Sequence, residues 1–157
     1  MKLNNGHMLK LVATDLDGTF LKNDKSISKE NIDMLRSLGE NGIVRVIATG
    51  RNLKKTIEVI PSEIPFDYIV FSSGAGVYDS KNGKLLYHKN LSGLVVQQLV
   101  DFLVENDLNF HLFKPVPENH NCWYHRGSVS CFEFESYFEY LRSHSEPLPH
   151  NQIINSE

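Results

Sequence analysis

Three short apolar runs, each stopped by a polar or glycine-bearing turn, leave this chain few ways to fold. Leu9 to Thr14 ends at Asp15 and is broken by Gly18; Ile43 to Ala48 ends at Thr49-Gly50-Arg51; Tyr68 to Phe71 runs into Ser72-Ser73-Gly74-Ala75-Gly76. Runs of this kind read as buried strands of a parallel sheet. The segments between them carry helix patterns. Ser28 is placed to cap a helix from about Lys29 to Glu40, with Ile32, Leu35 and Leu38 on one face and Asn41-Gly42 as its stop. Asn52 is placed to cap a shorter one, in which Leu53, Ile57 and Ile60 share a face before Pro61 ends it. Strand, helix, strand, helix, strand predicts an α/β fold with right-handed crossovers and a parallel sheet covered on both faces.

In open parallel sheets ligands bind beyond the carboxyl ends of the strands. Asp15, Asp17, Thr49, Arg51 and Ser73 all fall just past those ends, so one edge of the sheet gathers them from three separate stretches. Asp15-Leu16-Asp17-Gly18-Thr19 is the most informative of these. Asp and Gly are also ordinary turn residues, but here they follow an apolar strand, with Thr-Gly-Arg after the next one. Gly18 lets the chain turn sharply, so that Asp15 can attack an electrophile while Asp17, one step along, handles a proton. Neighbouring carboxylates push their pKa values apart, leaving one charged and the other able to hold a proton.

After Gly76 the pattern changes. Val77 to Tyr87 reads as a hairpin around Asn82-Gly83. A helix follows from about Leu94 to Glu105, then two strands, Asn109 to Lys114 and Cys122 to His125, then a helix from about Val129 to Arg142 with Phe134, Tyr137, Phe138 and Leu141 on one face. A domain boundary is expected between Gly76 and Lys84, giving residues 1–80 and 81–157. The stretch after Glu146 reads as a connecting segment.

Lys and Arg number 16 against 19 Asp and Glu, with no basic block, which excludes a nucleic-acid module held by phosphate neutralisation. No apolar run approaches the roughly 20 residues that span a bilayer, so no membrane partner is expected. The first residues lack the apolar stretch of a secretory signal, and two cysteines, Cys122 and Cys131, are too few to staple a fold; both features predict a cytoplasmic setting. The seven histidines show neither helical i, i+4 pairing nor finger-type spacing. His120, Cys122 and His125 read as strand and turn residues, and Phe134, Tyr137 and Phe138 as core. Trp123 and Tyr124 are candidates for lining a substrate entrance.

Asp15-Leu16-Asp17-Gly18-Thr19 resembles the first signature of the haloacid dehalogenase superfamily, and Ala48-Thr49-Gly50-Arg51 resembles its second. The Ser73-Gly74-Ala75 loop, followed by a hairpin and an inserted α/β unit, is similar to the Cof-type, type II capped phosphatases. The resemblance covers essentially the whole chain. It implies a Rossmann-like parallel sheet core with an inserted α/β cap domain, and a phosphatase of small phosphorylated metabolites such as sugar phosphates. It also implies roles: Asp15 is phosphorylated, Asp17 is the general acid and base, and Thr49 and Gly50 bind the phosphate. Mg²⁺ is the implied cofactor, held by the Asp15 carboxylate and the backbone carbonyl of Asp17. Arg51 matches a position near the substrate, or else forms a salt bridge.

The third-strand loop of this branch usually carries Asn where Ser73 stands. The family's third motif, a Lys, and its fourth, a Gly-Asp pair, follow this type of cap, and nothing after Arg142 resembles either. An ionised Asp15, a phosphate dianion and one Mg²⁺ leave a site net negative even with Asp17 protonated. A crippled site is therefore expected, in an incomplete form of a longer protein, with the Asp15 strand left as a sheet edge that an oligomer or partner could cover. The other readings are a phosphosugar mutase-like phosphotransferase and a non-catalytic interaction module.

Overall fold

The computed structural model describes residues 7–149. His150 and the remainder of the tail lie outside the described residues. The chain forms two compact units, one running to His88 and one starting at Lys89.

In the first unit, strands β1 (Leu11–Asp15), β2 (Val44–Ala48) and β3 (Tyr68–Phe71) are parallel, with helix α1 (Lys29–Glu40) between the first two and α2 (Leu53–Val59) between the second two. Strands β4 (Gly76–Asp79) and β5 (Lys84–His88) continue the same sheet antiparallel, in the order β1-β2-β3-β4-β5. The caps sit where local chemistry puts them. The Asn31 N–H donates to Ser28 Oγ at 3.2 Å, and the Lys55 N–H to Asn52 Oδ1 at 2.9 Å. In the hairpin, the Asp79 carboxylate accepts from the Lys81 and Asn82 N–H groups and from the Asn82 side chain, while Gly83 supplies the positive φ of 64° that closes the turn.

The core of this unit gathers Leu16, Phe20 and Leu21 after β1, Leu35 and Leu38 of α1, and Ile43, Ile47, Ile64 and Phe66. Phe20 meets Phe66 edge to face with ring centroids 5.1 Å apart. Leu16, between the two aspartates, is fully buried. Withdrawing a leucine side chain from water stabilises by about 1.5–3 kcal/mol, so Leu16 anchors the loop whose flanking residues are acidic and exposed.

As expected for the strand that bears Asp15, β1 is the edge of the sheet among the described residues: Leu11 is 52% exposed, while Val12 packs against the core.

The second unit contains α3 (Gly93–Glu105), a three-stranded sheet of β6 (Phe110–Phe113), β7 (Cys122–His125) and β8 (Ser145–Pro147), and α4 (Phe132–Leu141). β6 and β7 are antiparallel; β7 and β8 are parallel. The stretch after Glu146 is expected to be a connection, but its first residue, Pro147, completes with Ser145 and Glu146 a strand paired to β7, and the Leu148 N–H donates to Tyr124 O at 2.8 Å. A strand of three residues with a proline has no alternation to betray it. Helix α4 starts at Phe132 rather than Val129, leaving both residues exposed. Of the aromatic face expected as core, Phe134 is buried and Phe138 half-buried, while Tyr137 is 47% exposed; His111 of β6 stacks on Phe134 at 4.6 Å, and Tyr124 meets Phe138 at 4.7 Å. Trp123 lies beneath the Lys114 ammonium, 5.0 Å from it. Cys122 is buried beside Ser145 Oγ at 3.4 Å, and burial pushes its thiol pKa up. No helix is long and apolar enough to cross a membrane among the described residues.

Candidate active site

The carboxyl ends of β1, β2 and β3 open onto a cavity of about 360 Å³ lined by Asp15, Thr49, Gly50, Ser73 and Gly74, with Ala48 and Val70. Parallel strands in register bring these ends together: Asp15 pairs with Ala48, and Ala48 with Val70. Residues some sixty positions apart in the chain thus share one wall.

The loop after β1 is built on itself. The Leu21 N–H donates to Leu16 O at 2.7 Å and the Gly18 N–H to Leu21 O at 3.0 Å, with Gly18 at φ 72°, a conformation open to glycine without penalty. Asp15 and Asp17 are exposed on either side of buried Leu16. Thr19, to which the sequence pattern assigns no role, places its Oγ1 as a donor 3.4 Å from Asp15 Oδ2.

After β2, Thr49 is only 6% exposed. Its Oγ1 accepts the Arg51 N–H at 3.2 Å, which leaves the hydroxyl proton available for a further acceptor. The loops after β2 and β3 are tied to each other: the Ser72 N–H donates to Arg51 O at 2.8 Å, and the Ser73 N–H to Thr49 O at 3.1 Å. Gly50 faces Ser73, whose Oγ would stand 3.5 Å from a Cβ there.

Asp17 and Arg51 stand apart from the cavity and take each other. Arg51 Nε donates to Asp17 Oδ2 at 2.8 Å and Arg51 Nη2 to Asp17 Oδ1 at 2.6 Å, a two-pronged guanidinium–carboxylate pair. The hydrogen bonds from Arg51 outweigh desolvation and hold the Asp17 carboxyl below the usual carboxylate range, with charge attraction from Arg51 and Lys25 adding to them. Asp17 is thus kept ionised, the wrong state for giving up a proton. Of the two readings open for Arg51, the structure shows the salt bridge.

Among the described residues, no three His, Cys, Asp or Glu side chains gather as a metal cluster. The donors at this site are nevertheless hard oxygens of the kind Mg²⁺ prefers. The Asp17 carboxylate is committed to Arg51, so the set that fits is the Asp15 carboxylate with the Asp17 backbone carbonyl. Such a pair suits an ion that keeps most of its water.

A second cavity, about 390 Å³, lies at the opposite ends of the strands and includes Arg45, Asp67, Asp79 and Lys81. Its charged groups serve the fold. Arg45 makes a two-pronged pair with Asp67 at 3.0 and 2.8 Å and donates to Leu35 O at 3.2 Å, while Asp79 caps the hairpin turn.

A family model described as haloacid dehalogenase-like hydrolase matches residues 12–156. Among curated proteins, the 5-amino-6-(5-phospho-D-ribitylamino)uracil phosphatase YcsE of Bacillus subtilis is 32% identical over 102 residues, covering 65% of this chain and 41% of its own length. The HMP-PP phosphatase of Serratia proteamaculans is 27% identical over 107 residues, covering 68% and 39%. The chain therefore spans less than half the length of these relatives. Among solved structures, the phosphatase BT1666 from Bacteroides thetaiotaomicron superposes with a TM-score of 0.73 over 95% of this chain and 53% of its own, at 20% identity. That likeness speaks for the fold.

Proposed function

The chain belongs to the haloacid dehalogenase-like hydrolase family, and from that premise we propose that it serves a phosphatase of small phosphorylated metabolites, sugar phosphates or similar, in the cytoplasm. The first unit is read as the part of the Rossmann-like core that carries Asp15, and the second as an α/β cap. The observation that carries the reading is the cavity in which Asp15 shares a wall with buried Thr49 and with exposed Gly50. The names of the relatives, phosphatases of small phosphorylated compounds, support the substrate class.

An Asp15 carboxylate oxygen attacks phosphorus, the bond from phosphorus to the leaving oxygen breaks, and an aspartyl-phosphate forms. Thr49 donates its hydroxyl to an equatorial phosphoryl oxygen, and the open face of Gly50 admits the group. Asp17 supplies the proton the leaving oxygen needs, then takes one from the water that attacks the aspartyl-phosphate. To do so it must leave the Arg51 fork, which keeps it ionised at rest, and take up a proton from solvent. A phosphate dianion is itself a bidentate partner for a guanidinium, so arriving substrate competes for Arg51. The Asp15 carboxylate and the Asp17 backbone carbonyl would hold Mg²⁺, which would supply charge neutralisation between the anionic nucleophile and the anionic ester.

The test is Mg²⁺-dependent hydrolysis of a panel of sugar phosphates and of p-nitrophenyl phosphate by the wild-type chain and by Asp15→Asn. Weak turnover, in keeping with a site short of cationic charge, that disappears in the variant is expected. Turnover that survives it refutes Asp15 as nucleophile, and a wild-type chain that hydrolyses nothing refutes catalysis by this chain.

A further inference from the structure

We infer that Ser73 contacts the substrate, its hydroxyl donating to an oxygen of the phosphate group beside that of Thr49; this rests on the reading of Asp15 as phosphoryl acceptor. The loop after β3 holds three successive residues in the left-handed region, Ser72 at φ 49°, Ser73 at φ 53° and Gly74 at φ 97°. An L-residue adopts that conformation at a cost, and two together persist only where the surroundings hold them there. Here the Ser72 N–H is bound to Arg51 O, the Ser73 N–H to Thr49 O, and the Ala75 N–H to Ser72 O.

Turn geometry alone does not ask for serine. Glycine takes a positive φ without penalty, and asparagine takes it more readily than most residues. What serine adds is a short hydroxyl, and the loop delivers it to the cavity wall shared with Asp15 and Thr49, over Gly50. No hydrogen-bond partner for Ser73 Oγ appears among the described residues. Thr49 Oγ1, already accepting from Arg51 N–H, is turned to donate as well. Two hydroxyl-bearing residues from two strand ends thus line the same cavity as the carboxylate, which suits a phosphoryl group with three equatorial oxygens to satisfy.

The probe is inorganic phosphate, titrated by calorimetry with Mg²⁺ present into the wild-type chain, Ser73→Ala, Ser73→Gly and Thr49→Val, with a thermal melt of each. Both Ser73 variants are expected to bind phosphate about ten- to a hundredfold more weakly, the loss of one hydrogen bond to a charged group. Ser73→Gly should melt no lower than wild type, since glycine removes the backbone cost. Weakening in Ser73→Ala that Ser73→Gly restores would show a backbone role only and overturn the inference. Binding that Thr49→Val weakens but both Ser73 variants leave unchanged overturns it too, with the Asp15 reading intact. A wild-type chain that binds no phosphate overturns both.

Discussion

Replacing Arg51 with methionine removes the fork from Asp17 while keeping most of the aliphatic stem and the backbone bonds of Arg51 to Thr49 and Ser72. Both carboxylate oxygens lose a donor, at 2.8 and 2.6 Å. The pair is two-pronged, which favours it, but Asp17 is 52% exposed and Arg51 28%, so water screens it as a surface bridge. A double-mutant cycle with Arg51→Met and Asp17→Asn, read by urea unfolding at pH 7 and low salt, should give a coupling of about 0.5–1 kcal/mol. Raising the salt to about 1 M, where the Debye length falls to about 3 Å, should remove most of it. The folded-state pKa of Asp17 lies below its unfolded value near 3.9. The stabilisation is therefore full above that unfolded value and fades as pH drops through the depressed folded one. Carbon-13 titration of the Asp17 carboxyl should show its pKa rising towards the ordinary value in Arg51→Met. On an alkyl phosphate, which needs its leaving oxygen protonated, the alkaline fall in turnover should move to higher pH in the same variant. A coupling within about 0.2 kcal/mol of zero at pH 7, with Asp17 titrating identically in both proteins, would refute the clamp.

Three other outcomes follow from the packing. Gly39→Ala would press a Cβ against the Arg45 guanidinium, displacing it from Asp67 and Leu35 O; set against the roughly 1 kcal/mol that alanine gains over glycine in a helix, a net loss of about 1 kcal/mol or less is expected on chemical unfolding, less than additive with Arg45→Met, and strict additivity would break the link. Thr49→Val keeps the shape but leaves the Arg51 N–H without its acceptor, costing about 1–2 kcal/mol, and an unchanged unfolding midpoint would discount that bond. Burial lowers the pKa of His111, which lies against Phe134, Tyr137 and Phe138, so its folded value falls below the unfolded one near 6.5. Stability of the second unit, followed through its single tryptophan Trp123, should therefore be full above that value and decline as pH falls below it; His111→Phe should flatten the decline, and a decline equally steep in the variant would discount His111.

The local code was legible for a physical reason: it acts over a few residues. Ser28 and Asn52 cap the helices expected of them because a side-chain oxygen three positions ahead of an unbonded N–H finds it whatever else the chain does. The apolar runs place Asp15, Thr49 and Ser73 at strand ends, and parallel pairing alone then brings them to one cavity. Legibility stopped where partners are chosen across the fold. Nothing near Arg51 in the chain announces Asp17, 34 positions away, as the holder of its guanidinium. Nothing near Gly39 announces that Arg45 must lie across it to reach Asp67, nor does Ser145–Pro147 carry any periodicity that marks it as a strand. The amino-acid order by itself determined which groups reach the site; the tertiary structure alone decided which are kept waiting there, because ion pairs, close approaches and short strand pairings are set by distances in space that no spacing along the chain encodes.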